Sequence, residues 1–137
     1  MRKPIIAVVS VFLLSARIVF AGLSDISDTL NSSIVNSPLH EILPDLAKVL
    51  NVDPALLRKA MVDSALRLSD VACAKFMSEK TGQPITDFFK IATPLEWVET
   101  LTRYNLKEKD AADYLDVLQT EVAFMMLDHR TVPRKRR

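Results

Sequence analysis

The chain contains two histidines, His40 and His129, whose imidazoles can bind a metal or transfer protons near neutral pH. Glu41 follows His40, and a helical metal-binding motif of this kind needs a second imidazole one turn further on. Position 44 is occupied by Pro44, so the motif is incomplete. A metal site that joins His129 to His40 would require distant segments to meet, and it remains an alternative rather than the leading interpretation.

The last predicted helix carries four carboxylates, Asp110, Asp113, Asp116 and Glu121. Neighbouring carboxylates catalyse acid–base chemistry when burial separates their pKa values. These four lie opposite an apolar stripe, which predicts a solvated face instead. Only Gly22 and Gly82 supply glycine, which leaves little room for a phosphate-binding loop. The sequence therefore predicts no catalytic residue, no metal site and no cofactor.

Cys73 is the single cysteine, so the chain cannot form an internal disulfide. Its neighbours include Val71, Ala72, Ala74 and Phe76, and this apolar setting predicts a buried thiol. An intermolecular disulfide and a catalytic nucleophile are the alternatives.

The N-terminal 21 residues have the pattern of a secretory signal peptide. Two positive charges precede an apolar run from 5 to 16, and Val19 and Ala21 form the small-x-small pattern of a cleavage site. We expect cleavage after Ala21 and a periplasmic or secreted protein. An uncleaved membrane anchor is the alternative, but Arg17 interrupts the run after 12 residues, short of the roughly 20 that a spanning helix needs.

The overall charge of +1 conceals an acidic body and a basic C-terminal segment. Residues 22–129 contain 17 acidic and 10 basic side chains, a net charge of −7. The segment 130–137 ends in four consecutive basic residues, Arg134, Lys135, Arg136 and Arg137. We predict a disordered, solvated tail, with contact to an anionic surface as the alternative.

Helix start and stop signals divide the rest of the chain. Thr93 and Glu96 form a capping box, while Asn51, Gly82 and Asn105 mark helix ends. Residues 22–37 are rich in Ser and Asn and predict a weak peripheral helix, and 38–129 form the helical domain. One long central helix is expected from about 53 to 80, with a break at Ser69–Asp70 as the alternative. A kink or restart is expected at Pro44.

The segment 46–61 resembles the helix-turn-helix of DNA-binding regulators in its apolar positions, among them Leu46, Leu50 and Leu57. That resemblance implies a recognition helix that begins near Asp53. Arg58, Lys59 and Arg67 would be its basic side chains, but acids surround them in an acidic, exported body. We therefore expect no nucleic-acid binding.

The predicted fold is an all-α orthogonal bundle of five or six helices that follows a cleaved signal peptide. The leading function is a non-catalytic interaction or binding module of the cell envelope, with a protein partner or self-association and no transmembrane segment in the mature chain. Its candidate surface comprises Phe88, Phe89, Trp97, Phe124, Met125 and Met126. The last helix is apolar on every side over residues 122–127, which favours burial of that end, with a dimer or partner contact as the alternative. The alternatives are an envelope enzyme or metal protein that uses His40, His129 or the acids, and a carrier of apolar ligands.

Overall fold

The computed structural model describes residues 22–91 and 93–131, and the side chains of this part as far as residue 128. The predicted signal peptide and residues 132–137 of the basic tail lie outside it. The described residues are all-helical and contain no β-strand, which confirms the predicted class. In chain order the elements are α1 (Leu23–Ser32), α2 (Leu39–Leu50), α3 (Pro54–Arg58) with a π-helical turn (Lys59–Asp63), α4 (Leu68–Thr81), a 3-10 helix (Ile85–Phe88), α5 (Pro94–Arg103) and α6 (Glu108–Thr131).

The predicted local signals appear where the sequence places them. Thr93 Oγ1 accepts from the Glu96 backbone N–H at 3.1 Å, and the Glu96 carboxylate accepts from the Thr93 N–H at 3.1 Å. Asn51 and Asn105 adopt the left-handed conformation at the ends of α2 and α5, with φ of 57° and 59°. Helix α2 runs unbroken through Pro44, so of the expected kink or restart the restart does not occur.

The expected single helix from 53 to 80 is wrong, because the chain leaves the helix between 64 and 67. The π-helical turn closes with a hydrogen bond from the Ser64 N–H to the Lys59 carbonyl, and the Leu66 N–H then reaches the Ala60 carbonyl at 2.9 Å. Ala65 supplies the left-handed residue of this helix end, with φ of 56°. A new helix, α4, starts at Leu68 and is buried on almost every side, so it forms the centre of the fold.

The segment 22–37, for which the sequence predicts a weak peripheral helix, contains α1, and one face of α1 is buried against the core. Helix α1 packs against α6 more extensively than any other pair of described elements pack together. Leu30 is completely buried, and the Leu23 N–H donates to Glu108 Oε2 at 3.0 Å. Asn31 accepts from the Ser69 N–H at 2.8 Å and donates to Ser69 Oγ at 2.9 Å, which links α1 to the start of α4.

We expect Ala65→Gly to stabilise the protein by about 0.5–1 kcal/mol. A residue with a Cβ atom pays about 1–2 kcal/mol to adopt the left-handed conformation in the folded state, and glycine avoids this cost. Glycine also gains conformational freedom in the unfolded chain, which lowers the net stabilisation by about 0.4–1 kcal/mol. Urea unfolding measures the difference. The matched control, Ala55→Gly on the exposed surface of α3, should destabilise by up to about 1 kcal/mol. A loss of stability in both variants would contradict the prediction.

Candidate functional site

Four of the six candidate surface residues are buried, which corrects the predicted surface at Phe88 and Trp97 and agrees with the favoured burial of the last helix's apolar end at Met125 and Met126. Phe88, Trp97, Met125 and Met126 belong to the core, Phe89 is half-buried, and Phe124 is 66% exposed. Trp97 is turned inward because its Nε1–H donates to the buried Asp70 carboxylate at 3.2 Å. Within the apolar end of α6, Val122, Met125 and Met126 face the core, while Phe124 and Leu127 lie on its exposed side.

The histidine site is not assembled by the side chains that the structure describes. His40 is exposed, and its Nε2 lies 4.0 Å from Glu41 Oε2. No group of three or more potential metal ligands occurs among the described side chains. The side chain of His129 lies outside them, so its pairing with His40 stays an untested alternative.

The segment that resembles a helix-turn-helix lacks a full recognition helix. Helix α3 is only five residues long and passes directly into the π-helical turn. Lys59 lies in that turn, and Arg67 lies beyond it, where its guanidinium binds Asp70. Two of the three basic side chains that the resemblance implies are therefore not on α3.

A groove of about 650 Å³, largely open to solvent, lies between the end of α2, the second half of α4 and the middle of α6. Its floor is apolar and its rim carries four carboxylates and one lysine. We call it the α2/α4/α6 groove. Its lining residues are Val49, Leu50, Asn51, Phe76, Glu79, Lys80, Asp110, Asp113, Tyr114, Val117, Leu118 and Glu121.

The floor of the groove combines buried and exposed apolar side chains. Leu50, Phe76 and Leu118 are buried, and the Phe76 ring lies 5.4 Å from the Tyr114 ring. Val117, by contrast, is 62% exposed. Phe124 follows seven residues later on the same face of α6, since seven residues make two turns. Val117 and Phe124 are therefore two exposed apolar side chains on one face of α6, and Glu121 lies between them along the helix.

The rim of the groove is predominantly negative. Glu79 pairs with Lys75, with 3.8 Å between Oε2 and Nζ, and Asp113 accepts from Lys109 Nζ at 2.7 Å. Burial raises the pKa of the Tyr114 phenol, and the carboxylates of Glu79 and Glu121 raise it further. The phenol therefore stays protonated and neutral through the physiological range.

One cation already lies at the aromatic floor. Lys80 Nζ is 5.7 Å from the centroid of the Phe76 ring, within cation–π distance. The groove thus places an ammonium group above an aromatic face and beside carboxylates.

Two further chemical groups have structural roles. Cys73 is buried, as predicted, and burial raises the pKa of its thiol well above the usual range. Asp70 accepts from Arg67 Nε at 3.0 Å and Nη2 at 3.1 Å, as well as from Trp97. This cluster joins the start of α4 to α5.

The sequence analysis identified part of the groove. It named Asp110, Asp113 and Glu121 as a solvated acidic face, and the structure confirms that these residues are exposed. It did not identify Tyr114 and Val117 as part of a surface. The available signal was Val117 and Phe124, two apolar residues seven apart on the otherwise polar face of α6.

No protein-family model, curated protein or solved structure matches this chain.

Proposed function

We propose that the protein is a non-catalytic interaction module and that the α2/α4/α6 groove is its binding surface. The observation that carries this proposal is the open groove of about 650 Å³, whose lining includes apolar side chains of three helices and the exposed Val117. Phe124 is exposed on the same face of α6 beyond the groove. Exposed apolar side chains beside a groove favour a partner that removes them from water. A carrier of apolar ligands would favour an enclosed cavity, whereas this groove is open along its length.

We also propose that the module works in the cell envelope or outside the cell. The support is the signal-peptide pattern of the N-terminal 21 residues. Among the described residues, no helix has the length and apolar character needed to cross a membrane. The intact mass of the protein recovered from an exporting host should equal that of a chain that begins at Gly22. The mass of a chain that begins at Met1 would contradict export with cleavage. We interpret the helices as an orthogonal bundle that holds the groove rigid.

The groove is tested by selecting binders from a random helical-peptide library displayed on phage. We expect to select peptides that bind the wild-type protein. Their affinity for the double variant Val117→Asn/Phe124→Asn, which removes two apolar contacts, should be at least about tenfold lower. The matched control is Val35→Asn/Leu95→Asn, because these side chains are at least as exposed but do not line the groove. Fluorescence anisotropy measures each affinity. Equal losses in both double variants, or no selected binder, would contradict the proposed function.

A further inference from the structure

We infer that the natural occupant of the α2/α4/α6 groove is a cationic amphipathic helix of a partner protein. This inference rests on the proposed function and adds the chemistry of the partner. The groove offers two separate surfaces to such a helix. Its floor takes large apolar side chains, and its rim of carboxylates takes basic side chains on either side of them. Helices that dock in grooves in this way present anchors spaced three and four residues apart.

Charge complementarity selects a basic partner. The lining residues include four carboxylates and a single lysine, in a body of net charge −7 over residues 22–129. Glu79 and Asp113 already pair with lysines of their own helices, so the preference for a basic partner rests on Asp110 and Glu121. Lys80 shows how a basic side chain fits, because its ammonium group lies over the Phe76 ring. A partner lysine or arginine at Asp110 or Glu121 would find an exposed carboxylate at the same rim.

A second copy of this chain fits the face less well. Along the outer face of α6, Asp110, Val117, Glu121, Phe124 and Asp128 follow one another at spacings of three, four or seven residues. In an antiparallel α6–α6 pair that places Val117 of one copy against Phe124 of the other, Asp113 would face Asp128. Opposed like charges disfavour that assembly, whereas opposite charges would favour a basic helix.

The basic tail of this chain supplies charge without an apolar face. Arg134, Lys135, Arg136 and Arg137 follow Val132 and Pro133, so the tail offers one aliphatic anchor. The apolar floor argues for a partner that carries several.

The experiment uses the chain purified from the exporting host and three labelled peptides in fluorescence anisotropy. The first is an 18-residue Leu/Lys peptide with leucine at helical anchor spacing, the second has glutamate in place of lysine, and the third is the tail sequence VPRKRR. We expect the Leu/Lys peptide to bind at least about tenfold more tightly than either of the others at low salt, and less tightly as salt rises.

Variants then locate the binding. Asp110→Asn/Glu121→Gln should weaken the Leu/Lys peptide about tenfold, because two rim carboxylates are lost. The control Asp116→Asn/Glu99→Gln changes the same residue types at exposed positions outside the groove and should leave its affinity unchanged. Lys80→Met should strengthen binding several-fold, since it removes the one positive charge of the lining.

Four results would overturn the inference. A Leu/Glu peptide that binds as tightly as the Leu/Lys peptide would contradict the preference for a cationic partner. If Val117→Asn/Phe124→Asn abolished that binding, the proposed function would still be supported without this inference. Tighter binding of the tail peptide would make the chain's own tail the occupant. A dimer in sedimentation that Val117→Asn/Phe124→Asn dissolves would make a second copy the occupant. Absence of all peptide binding would overturn both proposals.

Discussion

Leu30→Ala is expected to lower the free energy of unfolding by about 3–4 kcal/mol, a large share of the total stability of a domain of this size. Leu30 is completely buried and belongs to α1, which packs against α6. Replacing its isobutyl group with a methyl group loses transfer free energy and leaves a cavity that the surrounding close-packed helices only partly fill. Urea unfolding followed by circular dichroism measures the change.

The matched control is Val35→Ala, in the turn that follows α1, where the side chain is 72% exposed. Its effect should stay within about 0.5 kcal/mol. A loss below 1 kcal/mol for Leu30→Ala would contradict the integration of α1 into the core. It would instead support the peripheral helix that the polar composition of residues 22–37 indicates.

The elements that could be predicted from sequence are those that neighbouring residues determine. The capping box of Thr93 and Glu96 and the left-handed helix ends at Asn51, Asn105 and Gly82 all appear in the structure. Each depends on hydrogen bonds and backbone sterics within about six residues. Local features of this kind can be predicted from sequence because they do not depend on contacts with distant segments.

The break between α3 and α4 could not be predicted in the same way. Ala65 is a good helix former, and nothing in its side chain favours a left-handed conformation. The tertiary contacts at the start of α4 accompany the break, where Asn31 of α1 binds Ser69 and the Arg67 guanidinium binds Asp70. In one case the partner lies 38 residues away in the sequence. Local propensity cannot include such a contact, and it therefore favours a continuous helix that the folded chain does not form.

The candidate site shows the same division. Spacing placed Asp110, Asp113 and Glu121 on one exposed face of the last helix, because helical periodicity determines which residues share a face. Periodicity does not determine which helix lies opposite, so the apolar character of Trp97 and of Met125 was equally consistent with a surface or a core. The groove depends on α2, α4 and α6 meeting, which follows only from the packing.

Asp70→Ala is expected to cost about 3 kcal/mol, the second large effect. The buried carboxylate accepts four hydrogen bonds, from the backbone N–H, Nε and Nη2 of Arg67 and from Nε1 of Trp97. Alanine would leave the Trp97 indole N–H buried without an acceptor, which alone costs about 1–3 kcal/mol. The Arg67 side chain is 42% exposed, so water can solvate its guanidinium and its contribution is smaller than in a fully buried pair. Urea unfolding measures the sum.

A double-mutant cycle with Trp97→Phe separates the indole hydrogen bond from the arginine pair. In the Trp97→Phe background the orphaned donor no longer exists, so Asp70→Ala should cost about 1 kcal/mol less than it does in the wild-type protein. Asp70→Asn keeps one acceptor oxygen, which can still accept from Trp97 Nε1, but its NH2 group replaces the oxygen that accepts from the backbone N–H and Nε of Arg67. It should cost less than Asp70→Ala, and the remaining loss combines those hydrogen bonds with the charge opposite Arg67. If the stability effects of Asp70→Ala and Trp97→Phe were additive, the hydrogen bond between the two side chains would not be what links α4 to α5. Residues in direct contact are expected to show a non-additive coupling energy.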